Sequence, residues 1–480
     1  MSSCKESAND QAKSGQNLKW WQLSLLGVAC TIGTGYFLGS ALAIEIGGPS
    51  VLLTFLLAAA GTYCVFDVLA QMTAKSPEQG SFRSYAKKAY GRWAGFSSGW
   101  AYWCSELLIM GSQLTALSLF SRFWFPQIPV WMFAAGFAIL GLIVVIIGNK
   151  LFDPLESVAA VIKIAAILMF IVLGSAALFG WLSGGIEPQM PVSALDLFPN
   201  GLTGAWAALL FSFYAFGGIE VMGLMALRLQ EPKEAQKAGR TMILLLGVIY
   251  MISLFLVVSI APWRGFGTKE SPFIQALNTY NLPFVPHIMN GVLIVAGFST
   301  MVASLYAVTT MLITLAQDKD APPLFAKKVK KRFPVYSFGM TAAALCASIV
   351  LALLLPGTLY EYVTTAAGLM LLFNWTFILI TAGKLLKLTA FGQIKRYGGI
   401  LLILLAITGT LFHSTSRPGF WISFLFIACI GLITWFMHSK IWSKEGKRNQ
   451  THKTDKHLIE QLKKDRHRFP DRVRKAKHNR

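Results

Sequence analysis

The chain has 480 residues, of which 55% are hydrophobic and only 14% are charged, and its formal net charge is +21. Soluble proteins carry about 25% charged residues, so this composition excludes an ordinary soluble globular protein and indicates an integral membrane protein. The apolar runs are long and do not alternate as the strands of outer-membrane barrels do, which favours an all-α fold.

Twelve membrane spans are predicted, because twelve apolar runs approach or exceed the ~20 residues that a helix needs to cross a bilayer. Their ranges are 20–46, 49–72, 95–123, 129–149, 156–182, 202–227, 240–262, 286–316, 335–355, 358–383, 397–414 and 419–439. We divide the chain accordingly into an N-terminus at 1–17, five spans within 18–182, five within 200–384, two within 395–440, and a tail at 441–480.

The basic residues indicate an orientation. If the first span starts in the cytoplasm, 38 of the 43 Lys and Arg fall on that side. The positive-inside rule then predicts that both termini lie in the cytoplasm. The net charge reflects topology and does not indicate a nucleic-acid partner. The basic tail at 441–480 either only fixes topology or also binds anionic lipids or a partner.

The sequence gives no sign of a metal site or an enzyme. Its six cysteines are scattered without metal-binding spacing, so neither a disulfide framework nor a cofactor is expected. Motifs of zinc proteases, nucleophile elbows and phosphate-binding loops are also missing from the sequence, which favours a protein without enzymatic activity.

Two predicted spans are interrupted by glycines at matching places in the two five-span halves. The first contains Thr-Ile-Gly-Thr-Gly at 31–35, and the sixth contains Gly217-Gly218 followed by Glu220. Paired interruptions are typical of the substrate site in inverted-repeat transporters. Unwound backbone cannot face lipid, so it should line a polar cavity. Close helix packing through Gly35 and Gly39 is the alternative, whereas a dinucleotide loop lacks its preceding strand.

The sequence resembles the amino acid permeases of the amino acid–polyamine–organocation superfamily. The stretches that carry the resemblance run in order from about residue 18 to 440, and include TIGTGYFLGSALAIEIGGPS, GFSSGWAYWCSELLIMGSQLTA, FSFYAFGGIEVMGLMALRLQEPKEAQKA and LYAVTTMLITLAQDKDAPPLFAK. The resemblance implies twelve transmembrane helices in a five-plus-five inverted repeat (LeuT-like), with helices 1 and 6 broken.

In such a fold, free N–H groups after the first break would hold the carboxylate of an amino acid, and carbonyls at the ends of the first half-helices would hold its ammonium. Aromatic residues beside the second break would either cap the pocket or simply pack. The substrate-binding residues expected on this basis are Thr31, Gly33, Thr34, Gly35, Tyr36, Tyr214, Ala215 and Phe216.

Two ionisable residues within predicted spans are expected to take part in proton coupling. By resemblance, Lys163 takes the place of the sodium ion of sodium-coupled relatives and touches the broken part of helix 1. Its alternative role is a lysine that reaches the membrane surface. Glu220, just after the second break, is expected to face the cavity or the substrate path.

The resemblance implies import of an amino acid across the plasma membrane, driven by protons, and the expected substrate is a neutral amino acid of the aliphatic or branched-chain type. Departures from the family pattern favour a neutral substrate, since Gln113 stands where relatives often have Glu, and Val302 and Ala303 stand where an Asn-Ser pair is common. An amino acid or amine exchanger and a nutrient sensor on a transporter scaffold are the alternatives.

Overall fold

The computed structural model describes residues 18–78, 80–185, 193–226, 229–327, 334–354 and 359–442. The regular structure of these residues is helical, and two isolated β-bridges, Leu18 with Leu229 and Gly184 with Tyr280, supplement it. The described residues divide into two compact units, the first ending at Ile427 and the second beginning at Ala428. Both predicted five-span halves lie in the first unit.

Among the described residues, the first nine α-helices include the first break. They are α1 (Trp20–Thr31), α2 (Thr34–Phe37), α3 (Gly39–Gly47), α4 (Val51–Lys75), α5 (Phe82–Tyr90), α6 (Arg92–Arg122), α7 (Val130–Ile147), α8 (Asn149–Leu178) and α9 (Ala194–Leu197).

The other nine α-helices of the described ranges include the second break. They are α10 (Gly201–Tyr214), α11 (Ile219–Met225), α12 (Ala235–Ile260), α13 (Pro272–Leu277), α14 (Val285–Gln317), α15 (Val335–Leu354), α16 (Leu359–Leu385), α17 (Ala390–Gly409) and α18 (Arg417–Met437). The second unit, considered by itself, contains the end of α18 and a π-helical turn at His438–Trp442.

The fold is that of a multi-pass membrane protein. Among the described residues, eight helical stretches are long and apolar enough to cross a bilayer. Large apolar side chains such as Val161, Val172 and Phe391 are about two-thirds exposed, as expected of residues that face lipid rather than water. Twelve crossings and the inverted repeat stay predictions. The basic tail lies largely outside the described residues, and only its first two residues fall within them.

The centre of the bundle is built around α6, which packs against α14 on one side and α16 on the other. The end of α1 contacts α8 and α12, and α11 contacts α1. These contacts bring the two glycine interruptions to the middle of the bundle, where side chains of α6 and α14 surround them.

A buried ion cluster connects α5 to the chain that leaves α14. The guanidinium of Arg83 donates to Asp318 at 2.7 Å and to Asp320 at 2.6 Å, and Arg92 reaches the second carboxylate at 3.0 Å. The side chains of Arg83 and Asp320 are at most 1% exposed. The cluster fixes the short helix α5 at the end of the bundle that carries Arg83, Lys87, Lys88 and Arg92, which we call the basic end.

The exposed member of this cluster is Asp318. Burial raises the pKa of its carboxyl, but the hydrogen bond and charge of Arg83, together with Lys87, outweigh that effect and lower it overall. A carboxyl with a lowered pKa stabilises the fold above its ordinary pKa of about 3.9, and this contribution is lost as the pH falls through the lowered value.

We predict that Arg83→Met destabilises the protein by about 3–5 kcal/mol, because it leaves a buried carboxylate without its counter-charge. The measurement is the free energy of unfolding in detergent micelles. The matched control is Lys88→Met, which removes an exposed pair with Glu78 at 3.3 Å and should cost less than about 1 kcal/mol. Equal losses in the two variants would contradict a structural role for the cluster.

Candidate functional site

The first break separates α1 from α2. Helix α1 ends at Thr31, and Ile32 and Gly33 then have extended backbones before α2 begins at Thr34. Among the described residues, the N–H groups of Gly33, Thr34 and Gly35 have no protein acceptor. The break therefore presents three successive hydrogen-bond donors.

The second break separates α10 from α11. Helix α10 ends at Tyr214, and a turn through Gly218 leads to α11. Gly218 has a φ of 111°, a left-handed conformation that favours glycine over every other residue. This glycine is therefore required by the backbone itself.

The two breaks lie against each other. A Cβ atom added to Gly35 would stand 3.2 Å from both the carbonyl oxygen and the ring of Tyr214. A Cβ atom on Gly218 would lie 3.6 Å from the carbonyl oxygen of Cys30. The two broken helices thus approach each other closely at Gly35 and Gly218, and the same glycines lie at the breaks where backbone groups are exposed.

A cavity of about 470 Å³ opens at this junction. Helices α6 and α14 form the opposite wall, and the cavity extends to Gly80 and Thr314 near the basic end of the bundle. The break residues that line it are Thr31, Gly33, Thr34, Gly35, Tyr214, Gly217 and Gly218, and the facing polar residues include Glu106, Gln113, Thr300 and Ser304.

Several polar side chains of this wall have unused hydrogen-bonding capacity. The hydroxyl oxygens of Thr31 and Thr34 and the side-chain oxygen of Gln113 are buried without a partner among the described residues. Buried polar atoms are almost always paired with protein, water or ligand. The cavity is therefore suited to a small polar molecule.

Lys163 of α8 is fully buried behind the first break. Its ammonium donates to the carbonyl oxygen of Ala29 and to the hydroxyl of Ser299, each at 3.1 Å, and lies 3.7 Å from Glu156. The hydroxyl of Ser299 in turn donates to Glu156. The lysine thus contacts the last turn of α1 and is not exposed at the protein surface.

An aromatic cluster fills the side of the breaks away from the basic end, and it changes the placement of three expected site residues. Tyr36 stacks on Tyr250 with ring centroids 3.9 Å apart and bonds Ser253, so its side chain points away from the cavity. Phe216 packs against Phe55 and Tyr250.

The carbonyl oxygen of Ala215, which was expected to accept from a substrate ammonium, has a partner within the protein. It accepts the hydroxyl of Tyr250 at 3.0 Å, so it is already paired. Tyr36, Ala215 and Phe216, which were expected to bind substrate, are therefore not among the residues that line this cavity, because partners on α4 and α12 pair with them or cover them.

Glu220 is also outside the cavity lining. Its carboxylate accepts from the indole of Trp375 at 3.1 Å and from the N–H of Gly218 at 3.2 Å. Glu106 of α6 lines the cavity instead, next to Ser304 and Tyr102.

Comparison with known proteins identifies the family. A model of the family described as "Amino acid permease" matches residues 22–456. The chain belongs to the amino acid permease family. The resemblance found in the sequence is thereby confirmed, and transport rather than enzymatic activity is what the family's members are named for.

Relatives of this permease include the "Uncharacterized transporter YcgH" of Bacillus subtilis, which is 51% identical over 92% of this chain and 98% of the relative. The aromatic amino acid transport protein AroP of Corynebacterium glutamicum is 32% identical over 78% of this chain and 82% of its own length. AroP of Escherichia coli K12 is 31% identical over 88% and 90%.

Residues of the permease site that the sequence analysis missed lie on α8 and α14. Glu156 stands seven residues before Lys163, which is two turns along one helix face, so its pairing could have been found from spacing. Thr300 and Ser304 are four residues apart on α14 and line the cavity, but they had no distinguishing signal in an apolar helix.

We predict that Gly35→Ala weakens binding of a labelled neutral amino acid by at least about tenfold. The added methyl would stand 3.2 Å from the backbone carbonyl of Tyr214, and the breaks must shift apart to admit it. Binding to the purified permease, measured by scintillation proximity, tests this, with size exclusion to establish that the variant is folded.

The matched control is Gly39→Ala, whose new methyl would make only an ordinary contact, 3.6 Å from the ring of Tyr214. It should bind within about twofold of the parent, since a shift of the breaks is not needed. If the two glycines served only as a helix-packing pair, both alanines would weaken the protein alike, and that result would refute the cavity role of Gly35.

Proposed function

We propose that this permease imports a neutral amino acid across the plasma membrane, driven by protons. The observation that carries the proposal is the cavity at the two facing breaks, with three backbone donors on one wall. An amino acid supplies the complementary groups, because it has one carboxylate, one ammonium and one side chain.

The carboxylate is assigned to the first break. The N–H groups of Gly33, Thr34 and Gly35 and the hydroxyl of Thr34 form a cluster of donors at a helix start, where partial positive charge favours an anion. The ammonium is assigned to the second break at Gly217 and Gly218, which line the cavity where Ala215 and Phe216 do not.

The apolar part of the cavity lining supports a neutral, bulky substrate. Leu26, Ile109 and Met311 contribute apolar surface, and Tyr102 and Tyr306 contribute rings. Lysine and arginine are absent from the described lining residues, so an acidic substrate has no counter-charge there. The relatives named as aromatic amino acid transporters favour an aromatic side chain; the sequence departures noted above favour an aliphatic one.

Proton coupling is assigned to Lys163. A protonated lysine has three hydrogens, and Ala29, Ser299 and Glu156 offer three acceptors. A neutral amine has only two, so loss of the proton releases one contact and leaves Glu156 without its counter-charge. The end of α1 would then be free to move relative to α8.

The proposal includes the membrane arrangement expected from the sequence. Twelve spans in a five-plus-five inverted repeat, with both termini in the cytoplasm, would direct the cavity at Gly80 and Thr314 toward the cytoplasm. The basic tail at 441–480 would then lie beside the anionic lipids of that leaflet.

The test of function is uptake of labelled phenylalanine, leucine and lysine by proteoliposomes, with and without a pH gradient in which the external solution is the more acidic. We expect phenylalanine or leucine to accumulate only with the pH gradient, and lysine not to enter. Uptake that needs unlabelled amino acid inside, independent of the gradient, would favour an exchanger. Binding without flux would favour a sensor.

We predict that Lys163→Met and Lys163→Arg both lose accumulation against a gradient, whereas substrate binding weakens less than transport. Methionine lacks a titratable proton, and arginine, with a pKa above about 12, does not release one. Proton-driven uptake in proteoliposomes measures the effect. Lys387→Met removes an exposed lysine far along the chain and serves as control. Near-normal accumulation by Lys163→Arg would refute the coupling role.

A further inference from the structure

A second cavity lies at the basic end of the bundle, apart from the substrate site. It has a volume of about 330 Å³ and shares no lining residue with the substrate cavity. The ends of α5 and α16 and the beginning of α17 form it. Its polar lining consists of two cations and two tyrosines: Lys384, Arg396, Tyr90 and Tyr397.

The two cations differ from neighbouring basic residues in having no carboxylate partner. Lys395 and Arg240 both pair with Asp67, and Arg83 and Arg92 pair within the buried ion cluster described above. In the part of the chain that the structure describes, neither Lys384 nor Arg396 forms an ion pair. This cavity therefore carries two uncompensated positive charges.

The guanidinium of Arg396 is packed against its neighbours in a defined position. It occupies the space where a side chain of residue 383 would project, since a Cβ atom on Gly383 would stand 1.3 Å from an Arg396 nitrogen. The guanidinium also lies 4.3 Å from the ring centroid of Tyr397. Its Nε is buried without a partner among the described residues.

Lys384 directly follows Gly383 in the chain. Its ammonium lies 4.5 Å from the ring centroid of Tyr90. Two carbonyls near this cavity are already paired: that of Ile380 accepts the Tyr90 hydroxyl, and that of Leu385 accepts the Lys75 ammonium. The described side chains that line the cavity therefore carry two positive charges and no carboxylate.

The surface around the cavity is apolar. Phe391 and Ile394 in the first turns of α17 are more than two-thirds exposed, and Leu401 is 59% exposed one turn beyond the cavity. A ligand here would have its charged part between the cations and its remainder along apolar side chains. That combination describes a phospholipid better than a free anion.

We propose that this cavity binds the headgroup phosphate of an anionic phospholipid, with Arg396 and Lys384 as its ligands. Arginine offers a fork of donors to the phosphate oxygens, and lysine adds a point charge. The acyl chains would lie along Phe391, Ile394 and Leu401. The proposal does not depend on which amino acid is transported.

The test is titration of the detergent-purified full-length permease with dioleoyl phosphatidylglycerol, followed by native mass spectrometry to obtain the affinity of the tightest-bound lipid. We expect Lys384→Gln/Arg396→Gln to weaken that affinity at least about tenfold, and each single change several-fold. Lys387→Gln removes an equal charge outside the cavity and should change it less than about twofold.

Charge-retaining changes separate binding from folding. Lys384→Arg should keep phosphatidylglycerol bound even if the glutamine variants are less stable, and loss of binding in it would overturn the proposal. Unchanged affinity in the double glutamine variant would do so too. Equal binding of dioleoyl phosphatidylcholine would exclude recognition of negative charge. Displacement of the lipid by millimolar inorganic phosphate alone would identify a free-anion site instead.

Discussion

The structure depends on one constraint: backbone polar groups inside a membrane protein need partners within the protein or in a polar cavity. Two helices of this permease are interrupted in the middle of the bundle, and each interruption releases such groups. The molecule meets the constraint by placing the interruptions against each other, with Gly35 on Tyr214 and Gly218 beside Cys30. A cavity remains at this junction, and the N–H groups of the first break that line it have no acceptor among the described residues.

Each interruption has a buried ionisable side chain behind it, and the sign of the charge matches the helix end. Lys163 donates to the carboxyl-terminal turn of α1, where the helix dipole favours a cation. Glu220 accepts from the N–H of Gly218 at the start of α11, where the dipole favours an anion. The two residues therefore stabilise the broken helix ends from outside the cavity. The N–H groups of the first break that line the cavity are left without a protein acceptor among the described residues.

The two ends of the bundle are built differently. Away from the basic end, the aromatic cluster around Tyr36 and Tyr250 closes the space beyond the breaks, and its hydroxyls are paired with Ser253 and Ala215. At the basic end the cavity reaches Gly80 and Thr314, and the interactions that hold this end are ionic. When an ion pair between helices separates, water can solvate both charges. Aromatic rings gain stability only while they are buried from water. The two ends of the bundle are therefore held by different interactions, ionic at one and hydrophobic at the other.

The sequence by itself determined the membrane class, the helical fold and the position of both breaks, because composition, apolar run length and glycine act locally. It also pointed to Thr31, Gly33, Thr34, Gly35 and Tyr214, all of which line the cavity. Only the tertiary structure decided which neighbours turn away: Tyr36 is held by Ser253, 217 residues along the chain, and Glu220 by Trp375, 155 residues away. The rotation of a helix about its axis decides which side chains face the cavity. It depends on such distant partners, and the local sequence does not identify them.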